Sequence, residues 1–386
     1  MVPNTGLYLR SLGVLCGAML SIGAAKADDI SIGVNMPLTG PFAASGNYVA
    51  NGAQIAVDEI NASGGVLGKK LHLIVEDNKS NPTEAASVEE KLIARDKVPV
   101  LLGAWGSSLT LAAIPKLKEY KVPMVVETAG ADKITQSGNP YVFRIAATQA
   151  IEAEGFETKL NDFNIKKADF IAINNDWGRN TVSEMSKMFK KHDIKVGQVS
   201  MVDQAAQDLS AELSQIKNTD ADTLIITADV EQLTLILKQA ESLGLHKQII
   251  TTGGSQSPDQ LVQQAGKAAD NTVHLVFFAP WEPEQTAFPE KTKAFIKAWK
   301  DKGYNFAGMT ESFRGYDGIQ VIAAAIKKAG VAEPEAIRKA LWDVKVDGLN
   351  GPVAFLKEGP AGAESGQSTT RVYFCKISDG KISVLK

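Results

Sequence analysis

Cysteine is nearly absent from this 386-residue chain, which has only Cys16 and Cys375. Cys16 lies in an N-terminal stretch that reads as a removable leader, so a processed chain keeps one thiol and can form no intrachain disulfide. Its stability must come from buried apolar surface, which about 359 residues can supply in two domains. Long apolar runs are equally scarce. Ser11 to Gly23 is the longest candidate, and it falls well short of the ~20 residues that cross a bilayer. Histidine is limited to His72, His192, His246 and His274, with no metal-ligand spacing. No Gly-x-Ser-x-Gly elbow occurs. Gly64 to Lys69 only superficially suggests a phosphate loop, because the spacing is one residue short and Lys70 stands where a hydroxyl is required. It reads as a helix-terminating turn before a strand. These absences argue against a serine hydrolase or a zinc enzyme, and no cofactor or metal is expected.

The N-terminus carries an export signal. Arg10 gives a weakly basic start, the short apolar stretch follows, and Ala25-Lys26-Ala27 offers the small residues of a cleavage site. Residues 1–27 are therefore expected to be a signal peptide, with the mature chain starting at Asp28 in the periplasm. Lipid anchoring through Cys16 would want a small residue before it, and Leu15 is large. Removing Arg10 and Lys26 leaves 39 basic against 44 acidic residues, a formal charge of −5. A mildly acidic surface argues against nucleic acid and anionic membranes as partners. Outside the cytoplasm there is no nucleotide pool to use, so the open functions are capture of a small solute or its hydrolysis.

Apolar runs of strand length alternate with amphipathic segments, the pattern of a parallel sheet wrapped by helices. Residues 30–38, 71–77, 98–103, 122–127 and 141–146 form one series, with a helix over 51–60 between the first two. The series restarts at 168–174, 195–202, 223–228, 248–252 and 272–278. The predicted fold class is α/β, two Rossmann-like doubly wound lobes joined by a hinge, with short crossings near residues 147 and 279.

Several motifs carry a resemblance. Ile32-Gly33-Val34 leads to Pro37-Leu38-Thr39-Gly40-Pro41; Gly46, Gly52-Ala53 and Ile60-Asn61-Ala62-Ser63-Gly64-Gly65-Val66-Leu67-Gly68 follow, and then Leu73 to Asp77. Together with Gly103 to Thr110, Asn174 to Gly178 and Phe313 to Ala325, the chain resembles the branched-chain amino-acid-binding protein family over essentially its whole mature length. These are type I periplasmic binding proteins that deliver ligand to ATP-driven (ABC) importers. The resemblance implies an N-terminal lobe of 28–147 plus 280–355 and a C-terminal lobe of 148–279 plus 356–386. It also implies a cleft between the lobes, a small amino-acid or organic-acid ligand, ABC permease subunits as partners, and a monomer without catalysis.

Gly103-Ala104-Trp105-Gly106-Ser107-Ser108-Leu109-Thr110 follows a strand and opens a helix, so Ser107 and Ser108 can present hydroxyls and N–H groups to a carboxylate at a positive helix end. Helix capping by the same serines is compatible with that role. By the resemblance, Ser107 contacts the ligand carboxylate and Thr128-Ala129-Gly130 adds backbone and hydroxyl groups, although Gly130 stands where the family commonly has a hydroxyl. Trp177 occupies the place of a ligand-covering tyrosine, and Trp105 and Phe313 match pocket-lining positions. These three rings would favour a flat or sizeable apolar group.

One departure concerns charge. The family's amino-acid binders pair the ligand ammonium with an acid in the loop that here reads Thr251 to Ser255, and the matching residue is Gly254. Asp229, also at a matching contact position, offers two outcomes. It supplies the missing charge and an α-amino acid fits, or it caps the helix starting at Val230 and leaves a carboxylate site with no ammonium partner. The expected mechanism is capture by lobe closure, the closed form being what a permease recognises. A ligand sensor docking on a receptor would have the same fold. An exported hydrolase would need a nucleophile and base at recognisable spacing, and none is found.

Overall fold

The computed structural model describes Met1, residues 29–254 and residues 256–386; the leader and its cleavage site lie outside them. Ten strands appear in the order the alternation predicts. In the first sheet, β1 (Ile30–Met36), β2 (Leu71–Asp77), β3 (Leu101–Gly103), β4 (Met124–Val126) and β5 (Val142–Arg144) are parallel, ordered 2-1-3-4-5. The second repeats this order with β6 (Lys167–Ile173), β7 (Lys195–Val202), β8 (Thr223–Thr227), β9 (Gln248–Thr251) and β10 (Val273–Val276), arranged 7-6-8-9-10. Near-continuous runs of Val, Ile, Leu and Phe suit strands covered on both faces: Ile32, Leu102 and Phe143 in one lobe and Phe170, Ile225 and Ile250 in the other are fully buried.

The strands after residue 345 decorate both sheets. A two-stranded ribbon, β11 (Val346–Asp347) with β12 (Pro352–Val353), precedes β13 (Leu356–Glu358) and β14 (Ser365–Gln367). β14 pairs with β5 and β13 with β14, which corrects one expectation: residues 356–367, assigned above to the second lobe, extend the first sheet. The chain crosses back only after Gln367, and β15 (Tyr373–Ser378) with β16 (Lys381–Val384) completes the second sheet beside β10. Cys375 lies within β15, buried and unpaired among the described residues.

On the first lobe the Ala43–Ala62 helix runs along the Met309–Ala329 helix. Gly52 permits the close approach, since a Cβ there would sit 1.8 Å from the Ser312 carbonyl oxygen. In each sheet the order reverses beside the strand that opens the series, between β1 and β3 and between β6 and β8. Ligands of open α/β sheets bind outside the carboxyl ends of strands at such reversals. The 103–108 segment leaves the end of β3 and Asn174–Trp177 leaves the end of β6, so both reversal points open on the same interlobe cleft.

Candidate functional site

A cavity of about 390 Å³ lies between the two reversal points, within the size range of small-molecule sites. Its first-lobe wall is the turn from β3 into the Ser107–Tyr120 helix. Trp105 takes a left-handed φ of 68°, a conformation costing on the order of 1–3 kcal/mol for a non-glycine residue. Its ring lies 5.0 Å from Phe42, centroid to centroid. Gly106 is the N-cap and has no side chain to cap with. The first intrahelical bond is Thr110 N–H to the Gly106 carbonyl at 2.8 Å, so the N–H groups of Ser107, Ser108 and Leu109 have no acceptor in the helix. All three residues border the cavity.

The neighbouring polar groups are arranged around this uncapped end. Ser107 Oγ accepts the Ala131 N–H at 3.1 Å, which leaves its own proton to donate. Thr128 lines the cavity beside Ala129, and its buried hydroxyl has no partner among the described residues. Ser108 is used differently. Its hydroxyl donates to Asp176 Oδ2 at 2.7 Å and accepts the Asp176 N–H at 3.1 Å, tying the lobes together, so only its backbone N–H is left for a ligand. Burial opposes ionisation of Asp176, but Lys133 Nζ at 2.7 Å, Ser108 and Arg179 outweigh it and hold the carboxyl below its usual value.

On the second lobe, Asn175 Oδ1 caps the Asp176–Lys191 helix by accepting the Gly178 N–H at 3.0 Å, and Trp177 projects over the cavity. Its indole lies against the turn after β9: a Cβ on Gly253 would fall 2.1 Å from the Trp177 ring, and Gly253 has φ of 91°. The other apolar wall on this side is Phe277, just past β10.

Six sequence-predicted residues therefore meet at the cavity: Trp105, Ser107, Ser108, Thr128, Ala129 and Trp177. Three do not border it. Asp229 takes the second of its two outcomes, since Oδ1 accepts the Glu231 and Gln232 N–H groups at 3.1 and 3.2 Å and caps the Val230–Ser242 helix. Burial and the neighbouring Glu231 raise its pKa well above its ordinary value. Gly254 stands behind Phe277, whose ring would be 2.3 Å from a Cβ at this position. Phe313 packs 5.3 Å from Phe278 and under the Arg314 guanidinium, away from the cavity. Arg314 is buried; it donates to the Gly254 carbonyl at 3.0 Å and lies 5.2 Å from the Phe277 ring. Sequence reasoning missed Phe42, Gln149 and Phe277 as wall residues. Gly106 gave a legible signal, a helix start whose cap lacks an acceptor.

Behind this wall sit three buried carboxyl groups, Glu127, Glu152 and Glu311, each pushed up to about 7 by burial despite the nearby Arg314. Glu152 Oε1 accepts the Gly253 N–H. Among the described residues no group of histidines, cysteines and acids could hold a metal, and His274 is buried between Thr251 and Thr272. No described helix is long and apolar enough to cross a membrane.

The sequence model for periplasmic binding proteins matches residues 29–381. The chain belongs to the periplasmic binding protein family. Similar relatives include the leucine-, isoleucine-, valine-, threonine- and alanine-binding protein of Pseudomonas aeruginosa, 27% identical and covering 91% of this chain and 93% of its own. A Leu/Ile/Val-binding protein of Rhizobium johnstonii is 28% identical, covering 88% and 90%. Among solved structures, the branched-chain amino-acid substrate-binding protein LivJ of Streptococcus pneumoniae, in complex with isoleucine, superposes with a TM-score of 0.80 at 27% identity, covering 93% of this chain and 100% of that one. A solute-binding protein of an ABC transporter from Rhodopseudomonas palustris, in complex with 3,4-dihydroxybenzoic acid, shares the fold with a TM-score of 0.78 at 24% identity, covering 92% and 95%. Members of this family are periplasmic solute-binding proteins.

Proposed function

We propose that this protein captures a small carboxylic acid that bears an apolar or aromatic group and no ammonium, closes its lobes around it, and delivers it to an ABC permease as a monomer. The observation that carries this reading is the uncapped helix end at Gly106. Three N–H groups, the Ser107 hydroxyl and the Thr128 hydroxyl converge on one wall of the cavity, and a carboxylate placed there satisfies donors that the fold leaves open. The rings of Phe42, Trp105, Trp177 and Phe277 supply apolar walls for the rest of the ligand.

The absence of an ammonium follows from where the acids are. Asp229 is occupied as a cap, and a phenyl ring stands at Gly254. The one acid on the cavity wall among the described residues, Asp203, is exposed and accepts the Ala205 N–H at 2.7 Å. An ammonium buried without a partner costs several kcal/mol. Proteins of this fold hold both isoleucine and 3,4-dihydroxybenzoic acid, so the fold does not choose the ligand and the wall residues must.

Thermal unfolding of residues 28–386 against aliphatic amino acids, aromatic amino acids and carboxylates lacking the amine tests the reading. Ligand at ~100 times its dissociation constant adds about 2.7 kcal/mol of stability. A raised midpoint with acids alone is expected; a raised midpoint with amino acids alone would overturn the proposal.

A further inference from the structure

We propose that Gln149 sets the ligand class of this cleft: its carboxamide N–H selects carboxylic acids that carry a hydrogen-bond acceptor on the carbon next to the carboxylate, such as 2-oxo and 2-hydroxy acids, over the corresponding 2-amino acids. The inference rests on the reading of the Gly106 end as the carboxylate site and adds the group beside it.

Gln149 opens the Gln149–Glu157 helix, is almost fully buried, and borders the cavity. Its backbone N–H donates to the Gly130 carbonyl at 2.9 Å, which fixes the residue against the 129–131 turn. The side-chain oxygen faces Thr181, with Thr181 Oγ1 at 2.5 Å from Gln149 Oε1. Thr181 Oγ1 also lies 3.0 Å from the Trp177 carbonyl, but the Gln149 contact is the shorter and suits O–H···O, whereas N–H···O bonds run longer, so the hydroxyl proton points to Gln149 and the amide nitrogen faces the other way. It does so toward Gly130: a Cβ on Gly130 would be 2.2 Å from Gln149 Nε2. The missing side chain at Gly130 is thus the space the amide fills. No hydrogen bond to the described chain uses Nε2, which leaves a donor unpaired at the cavity wall.

The position of that donor defines what it would meet. Gly130 is next to Ala131, whose N–H bonds Ser107 Oγ at 3.1 Å, so the amide lies one residue from the carboxylate pole. A ligand carbonyl or hydroxyl oxygen beside its carboxylate accepts from Nε2. An ammonium in the same place faces an N–H donor, and a ligand with only hydrogen there leaves the amide unpaired. Gln149 binds and orients; no bond is made or broken.

The test is calorimetric titration of the mature protein with four headgroups on matched phenyl and isobutyl skeletons: the 2-oxo acid, the 2-hydroxy acid, the unsubstituted acid and the 2-amino acid. The wild type is expected to bind the 2-oxo or 2-hydroxy acid about tenfold or more tightly than the unsubstituted acid, with the amino acid weakest. Gln149→Glu keeps the size and replaces the donor by an acceptor; it should lose tenfold or more for the 2-oxo acid and gain for the amino acid. Gly130→Ala, which pushes the amide out of its space, should bring the 2-oxo acid down to the unsubstituted one. Unfolding midpoints without ligand establish that each variant folds, and the wild-type ranking stands as a test without either variant. Equal wild-type affinity for the oxo and unsubstituted acids, or an unchanged ranking in folded Gln149→Glu, overturns the inference and leaves the carboxylate reading intact. Preference for the amino acids, or silence toward every acid, overturns both.

Discussion

At the scale of single residues the cleft is decided by which polar atoms are already in use. Ser108 and Asp229 have side chains of the right chemistry and the wrong commitments, one to Asp176 and the other to a helix cap. Ser107 and Thr128 keep a proton to donate. Thr128→Val preserves shape and removes the hydroxyl, so it should weaken carboxylate binding by about 1–2 kcal/mol, roughly 5- to 30-fold, with the unfolding midpoint without ligand little changed. Titration calorimetry checks the first and a thermal scan the second; undiminished affinity would place the carboxylate elsewhere. This is also the scale at which the sequence was least legible. An aspartate before a helix is both a cap and a candidate ligand group, and only the path of the chain decides between them. Phe313 and Phe277 are both phenylalanines near the lobe boundary, and which ring reaches the cavity depends on packing around Arg314 that no local pattern encodes.

At the scale of elements the reading was direct. Strands buried on both faces write themselves as short Val/Ile/Leu runs, and all ten runs of the two series appear near their expected positions. β13 and β14 were missed as members of the first sheet because their three-residue lengths and polar sequences, Leu-Lys-Glu and Ser-Gly-Gln, carry no apolar run. The Ser107–Tyr120 helix supplies a sharp test. Gly106 has extended backbone angles that any residue adopts, and a Cβ there meets nothing closer than 3.4 Å. Gly106→Asn should therefore fold as well as the wild type, stabilise the helix by a few tenths of a kcal/mol, and lower carboxylate affinity about tenfold or more by occupying the N–H groups itself. Unchanged affinity would mean that the helix end is not the carboxylate site.

The buried carboxyl groups make stability depend on pH. Glu127, Glu152 and Glu311 have folded values near 7 against an ordinary value of 4.5. A raised folded pKa contributes stability that is present in full below the unfolded value and is lost as pH rises through the folded one. The midpoint of wild-type unfolding should fall between pH 5 and pH 8. Glu127→Gln should flatten that fall by on the order of 3 kcal/mol, read from denaturant titrations at several pH values. A Glu127→Gln curve parallel to the wild type would show that Glu127 is ionised at no cost.

At the scale of the whole molecule, the two lobes meet through named bonds. Ser108 joins Asp176, Lys133 Nζ lies 2.7 Å from Asp176, the Asp132 N–H reaches Asn180 Oδ1 at 2.8 Å, and Tyr48 donates to Gln260 Oε1 at 3.1 Å. Asp176 serves two of these, so Asp176→Ala should favour separated lobes, seen as a larger radius of gyration in solution scattering without ligand, and should bind more weakly because more of the ligand's energy is used in closing. A scattering profile identical to the wild type would show that the latch does not govern closure.

The most direct test of a carboxylate site without an ammonium partner is calorimetric titration of residues 28–386 with phenylpyruvate and with phenylalanine under identical conditions. The expected result is saturable binding of the acid and at least 100-fold weaker binding of the amino acid, the separation that several kcal/mol of unpaired ammonium requires; phenylalanine binding as tightly as phenylpyruvate would contradict it.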